Sequence, residues 1–198
     1  MQHKSGKRHH NAIYRTVEQF DRYGTMENKK EKTCIVLIGM PGVGKSTVGV
    51  ILAKELGMQF MDSDLLIQKR EKKLLREIIA EKGVEGFLDV ENQVNAAIQA
   101  ENAVIATGGS AVYGREAMEH LKSIGTVVYL RLPYSKLKRR LHNLKGRGVV
   151  LKEGQTLKDL FEERSALYEK YADVIIEEEN RDIEGTLKEI LNFCLQNH

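Results

Sequence analysis

Residues 39–47 read GMPGVGKST, and no other stretch of the chain constrains its fold and chemistry as tightly. The segment fits the spacing G-x-x-x-x-G-K-[ST]. It lies between an apolar run, TCIVLIG (33–39), and an amphipathic one, KSTVGVILAKEL (45–56). A strand, a glycine loop and a helix in that order bring several backbone N–H groups and the positive end of a helix dipole to one point, which suits a phosphate. Gly42 and Gly44 let the backbone turn inward, and Val43 and Thr47 complete the cradle. Lys45 brings a mobile charge to the β- and γ-phosphates, and Ser46 offers a hydroxyl to Mg²⁺. The loop therefore predicts a chain that binds a nucleoside triphosphate.

Four more apolar segments follow: MQFMDSD (58–64), AVIAT (103–107), TVVYLRL (126–132) and DVIIE (173–177). Helical patterns separate them, among them REAMEHLKSI (115–124) and IEGTLKEILNFCLQN (183–197). Strands alternating with helices predict one α/β domain over 33–198, with a mainly parallel five-stranded sheet covered on both sides. Two insertions interrupt the alternation. Residues 63–100 read as a mostly helical insertion, and the glycine-bearing basic segment 142–155 reads as a lid.

Charge distribution excludes some partners. Residues 1–32 carry eight Lys/Arg against four Asp/Glu, and the remainder is close to neutral. The body thus offers no basic face for nucleic acid. No apolar run reaches the roughly 18 residues of a membrane helix, and the polar leader lacks the apolar core of a secretory signal. Met26 reads as the natural start, or residues 1–25 as a poorly ordered extension. The two cysteines, Cys34 and Cys194, read as free thiols of a reducing compartment, so a cytoplasmic protein, monomeric or weakly dimeric, is expected.

Other motifs carry chemistry less specifically. Asp62 and Asp64, in DSD at the end of the second strand, point the same way, toward the sheet edge where α/β ligands bind. One suits the water shell of a metal and the other a substrate hydroxyl, although Ser63 or Asp64 could equally cap a helix. Gly108 and Gly109, in TGGSAV, permit close approach of a ligand to the backbone. Arg147 lies in the basic loop and Arg164 in TLKDLFEERSALYEKYA.

In this order, with the specific stretch ERSALYEKYAD, the motifs resemble the shikimate kinase family of small P-loop kinases over essentially all of 33–196. The resemblance implies a nucleoside-monophosphate-kinase-like fold in which the insertion 63–100 binds substrate, and transfer of phosphate from ATP, with Mg²⁺, to a hydroxyl of a small acceptor. It assigns Lys45 and Ser46 to the phosphates and Mg²⁺, Asp62 to the metal through water, and Asp64 to the acceptor hydroxyl, with a possible role as base. It further assigns Arg147 to the transferring phosphoryl group, Arg164 to an acceptor carboxylate, and Arg140 and Arg181 to adenine.

KGVEGFLDVE (82–91) resembles the family segment G-E-x-x-F-R-x-x-E and matches it at Gly83, Phe87 and Glu91. Val84 replaces the acidic residue, and Leu88 stands where the family has its second carboxylate-binding arginine. Ile79 replaces a pocket aromatic, and Ser110 the third glycine of a triple glycine. Loss of a charge-assisted hydrogen bond costs about 1.5–3 kcal/mol. The expected acceptor is thus shikimate held by a rewired pocket, with Arg70, Lys73 or Arg76 available from the insertion. The alternative is a polyol or cyclitol without a carboxylate. A nucleotide or gluconate kinase, and a catalytically inactive nucleotide-binding partner protein, are the other readings.

Overall fold

The computed structural model describes residues 32–142, 154–179 and 182–196. Its five strands are β1 (Cys34–Ile38), β2 (Gln59–Asp62), β3 (Ala103–Ala106), β4 (Gly125–Arg131) and β5 (Val174–Glu177). They form one sheet in the order β2-β3-β1-β4-β5, and every pairing is parallel. The helices are α1 (Lys45–Leu56), α2 (Ser63–Glu71), α3 (Leu75–Ala96), α4 (Arg115–Ile124), α5 (Tyr134–His142), α6 (Leu157–Tyr171) and α7 (Ile183–Gln196), with a short 3₁₀ turn at Ala111–Tyr113.

Parallel strands require crossover connections, and these bring the helices over the sheet. Both faces are covered: every residue of β1 and β3 is buried, so their side chains run continuously apolar instead of alternating. The main core joins them to Leu52 of α1, Met118 and Leu121 of α4, Leu160 of α6 and Ile190 of α7. Both Cys34 and Cys194 are free thiols. Among the described residues no helix is long and apolar enough to cross a membrane.

The insertion between β2 and β3 comprises α2 and α3 and has a small core of its own, formed by Ile67, Ile78, Phe87, Val90 and Val94. Glu77 reaches back to accept a hydrogen bond from the Leu74 N–H at 2.8 Å, which satisfies a donor at the start of α3. Gly83 breaks α3 internally, with φ 70° and ψ −177°, a conformation essentially confined to glycine. At α6 the helix starts on a capping box, in which Thr156 and Asp159 exchange side-chain-to-backbone hydrogen bonds.

The connection from β1 runs to one side of the sheet and that from β3 to the other, so a crevice opens at the carboxyl ends of these two strands. Thr107 ties the crevice together, with its N–H and its hydroxyl both donating to the Leu37 carbonyl, at 3.1 and 3.0 Å. Farther out, the hydroxyl of Thr186 donates to the buried Glu178 carboxylate at 2.6 Å and joins β5 to α7.

Candidate active site

The loop after β1 folds as a phosphate cradle. Gly39, Gly42 and Gly44 have φ of 141°, 79° and 119°, values that L side chains rarely adopt, which explains the glycine spacing. Val43 is buried beneath the loop, and Ser46 and Thr47 are exposed at its mouth. Lys45 is almost wholly buried. Its ammonium donates to the loop's own carbonyls, Gly39 at 2.8 Å and Met40 at 3.1 Å. Burial lowers its pKa to about 8, and Arg164 adds to the effect while Asp64, Asp62 and Glu91 oppose it.

Asp62 caps α2 by accepting from the Asp64 N–H at 3.0 Å, and its other oxygen accepts from the Ser46 hydroxyl at 2.8 Å. The capping role and a role beside the phosphate loop thus coincide in one carboxylate. Ser63 is buried and accepts a hydrogen bond from the Gly108 N–H at 3.0 Å. This contact fixes the glycine loop after β3 against α2.

One cavity of about 740 Å³ runs along these pieces. Gly42, Gly44, Lys45, Ser46 and Thr47 line its phosphate end, together with Asp62. Asp64, Gly108, Gly109 and Arg164 line the rest, with Arg76, Ile79 and Glu91 contributed by α3. The glycines are needed for space. A Cβ on Gly109 would lie 2.6 Å from Cδ of Pro41, and one on Gly108 only 2.2 Å from a Glu91 oxygen.

Arg164, although charged, is only 2% exposed. Its guanidinium stacks on the Tyr113 ring, 5.2 Å from the centroid, and its Nε donates to the Tyr113 hydroxyl at 3.4 Å. One turn later Tyr168, fully buried, donates to the Gly109 carbonyl at 2.5 Å. Burial raises the Tyr168 pKa, so this phenol remains a donor. The conspicuous ERSALY stretch is therefore a bracket: Arg164 faces the cavity and Tyr168 holds the glycine loop.

Other residues named from the sequence make the following contacts. Leu88 packs on the small core of the insertion and does not line the cavity. Arg140 donates to the Val43 carbonyl at 2.8 Å and so braces the phosphate loop from behind. Of the three cations offered in place of an arginine at 88, Arg70 is engaged with Gln93 and Lys73 with Glu81, and Arg76 alone lines the cavity. Arg147, Arg181 and residues 1–25 lie outside the described residues.

The sequence reading named Glu91 only as a motif match and missed Tyr113, Ser63 and the bracing by Tyr168. Glu91 is 1% exposed, with no donor among the described residues in hydrogen-bonding geometry at either oxygen. Burial raises its pKa to about 7; the nearby Ser110 hydroxyl, Arg164 and Lys45 oppose the rise, and Asp64 reinforces it.

Comparison with known proteins agrees with this geometry. The family model described as shikimate kinase matches residues 41–195. The shikimate kinase of Persephonella marina is 36% identical over 158 residues, covering 79% of this chain and 96% of its own. Shikimate kinase 1 of Yersinia enterocolitica is 36% identical over 171 residues, 84% of this chain and 99% of its own. Among solved structures, shikimate kinase from Acinetobacter baumannii in complex with shikimate is 34% identical and superposes with a TM-score of 0.75, covering 83% of this chain and 94% of its own. Sequence, fold and near-complete mutual coverage lead to one conclusion: this chain belongs to the shikimate kinase family.

Proposed function

We propose that the chain transfers the γ-phosphoryl group of ATP to a hydroxyl of shikimate. The observation that carries this reading is the single cavity, in which a phosphate cradle at one end is continuous with Asp64, Gly108, Gly109 and Arg164 at the other. Phosphoryl transfer needs alignment of donor and acceptor and neutralisation of charge, and little else from the protein. The cradle's backbone N–H groups hold the phosphates, and Lys45 exchanges its two carbonyl contacts for phosphate oxygens. Asp64 holds the acceptor hydroxyl and receives its proton. Arg164, already oriented by Tyr113, takes the acceptor's carboxylate. Arg147, from the basic segment, completes the set at the transferring group, and Arg140 and Arg181 serve the adenine side.

Ser46 and Asp62 suit Mg²⁺, since they set two hard oxygens side by side at the cradle's mouth and leave the remaining ligands to phosphates and water. The ion, when bound, neutralises charge on the phosphates. The same reading makes the chain a cytoplasmic enzyme of small metabolites, monomeric or weakly dimeric.

The test is ADP release at saturating Mg-ATP, with and without shikimate, beside Lys45→Ala as control. Shikimate-dependent turnover that collapses in the control is expected. Turnover indifferent to shikimate would sink the proposal. A second reading, a neutral cyclitol or polyol as acceptor, is favoured by Leu88, which supplies no cation where the family has one. It predicts turnover with such compounds instead.

A further inference from the structure

Glu91 is a buried acid with few partners. Its residue is 1% exposed, both carboxylate oxygens are fully buried, and among the described residues neither is in good hydrogen-bonding geometry, the Ser110 hydroxyl being the donor beside them. Buried carboxylates are ordinarily paired or neutral. The position one turn earlier on α3, 88, is where an i, i+3 cation would meet it. That position is Leu88, which packs on the insertion's own core.

The groups around Glu91 come from every side of the cavity. From α2, Asp64 is the nearest like charge: one of its oxygens lies 2.8 Å from the point where a Gly108 Cβ would sit, and a Glu91 oxygen lies 2.2 Å from that same point. From the phosphate loop comes Lys45, whose ammonium is engaged with two carbonyls, and from α6 comes Arg164, engaged with Tyr113. The loop after β3 contributes the Ser110 hydroxyl. On α4, Glu116 is held by Asn92, and His120 contacts the Ile98 carbonyl. Neither cation near Glu91 is hydrogen-bonded to it.

We propose that Glu91 determines acceptor binding through its proton: an anionic acceptor binds only the form in which Glu91 is the neutral acid, so binding takes up a proton. The inference rests on the reading of the acceptor as shikimate. An ionised Glu91 would add a third negative group beside Asp64 and the incoming carboxylate, in a space whose two buried cations, Lys45 and Arg164, are already engaged with the loop carbonyls and with Tyr113. As the neutral acid it removes that repulsion. Its pKa of about 7 puts the change within the range of ordinary assays. When only one protonation state binds, apparent affinity falls with the fraction in that state, roughly tenfold per pH unit above the pKa.

The experiment is calorimetric titration of the full chain with shikimate at pH 7, in phosphate and in Tris, whose different ionisation enthalpies reveal proton transfer. It is joined to KM for shikimate between pH 6 and 8.5. Proton uptake and a KM rising roughly tenfold per unit above neutrality are expected. In Glu91→Gln the uptake should vanish and KM should become flat, which separates Glu91 from Lys45. Shikimate turnover without proton uptake by the unmodified chain overturns this inference alone, as does unchanged pH dependence in Glu91→Gln. Absence of shikimate binding and turnover at every pH overturns the functional reading, and this inference with it.

Discussion

Replacing Arg76 by Ala tests how the acceptor site manages with Leu88. Arg76 sits in the first turn of α3, is exposed, lines the cavity and has no ion pair or hydrogen bond among the described residues. Its removal therefore breaks no contact of the fold. A positive charge in the first turn of a helix is slightly unfavourable, so stability should rise by a few tenths of a kcal/mol at most. If Arg76 closes on the acceptor carboxylate opposite Arg164, the loss is one charge-assisted hydrogen bond. Solvent exposure places it at the low end of the usual range, about 1.5 kcal/mol, or roughly a tenfold rise in KM for shikimate with kcat nearly unchanged. The assay is steady-state ADP release at pH 6.5, with Arg70→Ala and Lys73→Ala as matched losses of charge. Those two cations are engaged with Gln93 and Glu81, so their removal should leave KM within about twofold. A KM shift in Arg76→Ala no larger than in the two controls would refute the argument and leave Arg164 as the only cation on the carboxylate.

Further expectations follow from other contacts. Burial of Glu91 means that the folded chain holds its proton between pH 4.5 and about 7 while the unfolded chain releases it, so stability should fall as pH rises through that window, by about 3 kcal/mol in total; denaturant unfolding of Glu91→Gln should lack this component, and an identical pH profile would contradict it. Gly109→Ala drives a methyl group into the Pro41 ring, which should cost about 1–3 kcal/mol and raise KM for ATP, because the displaced ring belongs to the phosphate loop; unchanged melting and KM would refute the clash. Thr186→Val strips the buried Glu178 of its 2.6 Å donor, and should lower stability by about 1–3 kcal/mol without altering KM for shikimate, as unfolding and kinetics together would show.

The sheet was legible because its physics is local: runs such as CIVLI and AVIA are apolar throughout, and only strands buried on both faces need that. The phosphate loop was legible for the same reason, since glycines at positive φ must be glycines wherever the rest of the chain goes. What failed to show was direction. A position in a motif does not say which way its side chain points, and Leu88 belongs to a hydrophobic cluster while Glu91, one turn on, faces the cavity. Burial of charge was equally hidden. Arg164 reads as a surface residue by type, and only the packing of α6 against the 3₁₀ turn gives it the Tyr113 ring to lie on. Tyr168 is core with a hydroxyl that holds the Gly109 carbonyl, a pairing 59 residues apart in sequence.

The small core shared by α2 and α3 has an evolutionary consequence. Because Ile67, Ile78, Phe87, Val90 and Val94 bury one another apart from the sheet, and because Gly83 divides α3, mutations in the acceptor wall are screened against a local packing problem. The nucleotide machinery is rooted in β1 and β3 and meets this module at Asp62 and Ser63. A lineage can therefore drift from one acceptor toward another through residues such as 76, 79, 84 and 88 while its phosphate chemistry stays under separate selection. Three of the four departures, at Ile79, Val84 and Leu88, fall in this one exchangeable module, the part of the chain where novelty is cheapest to try.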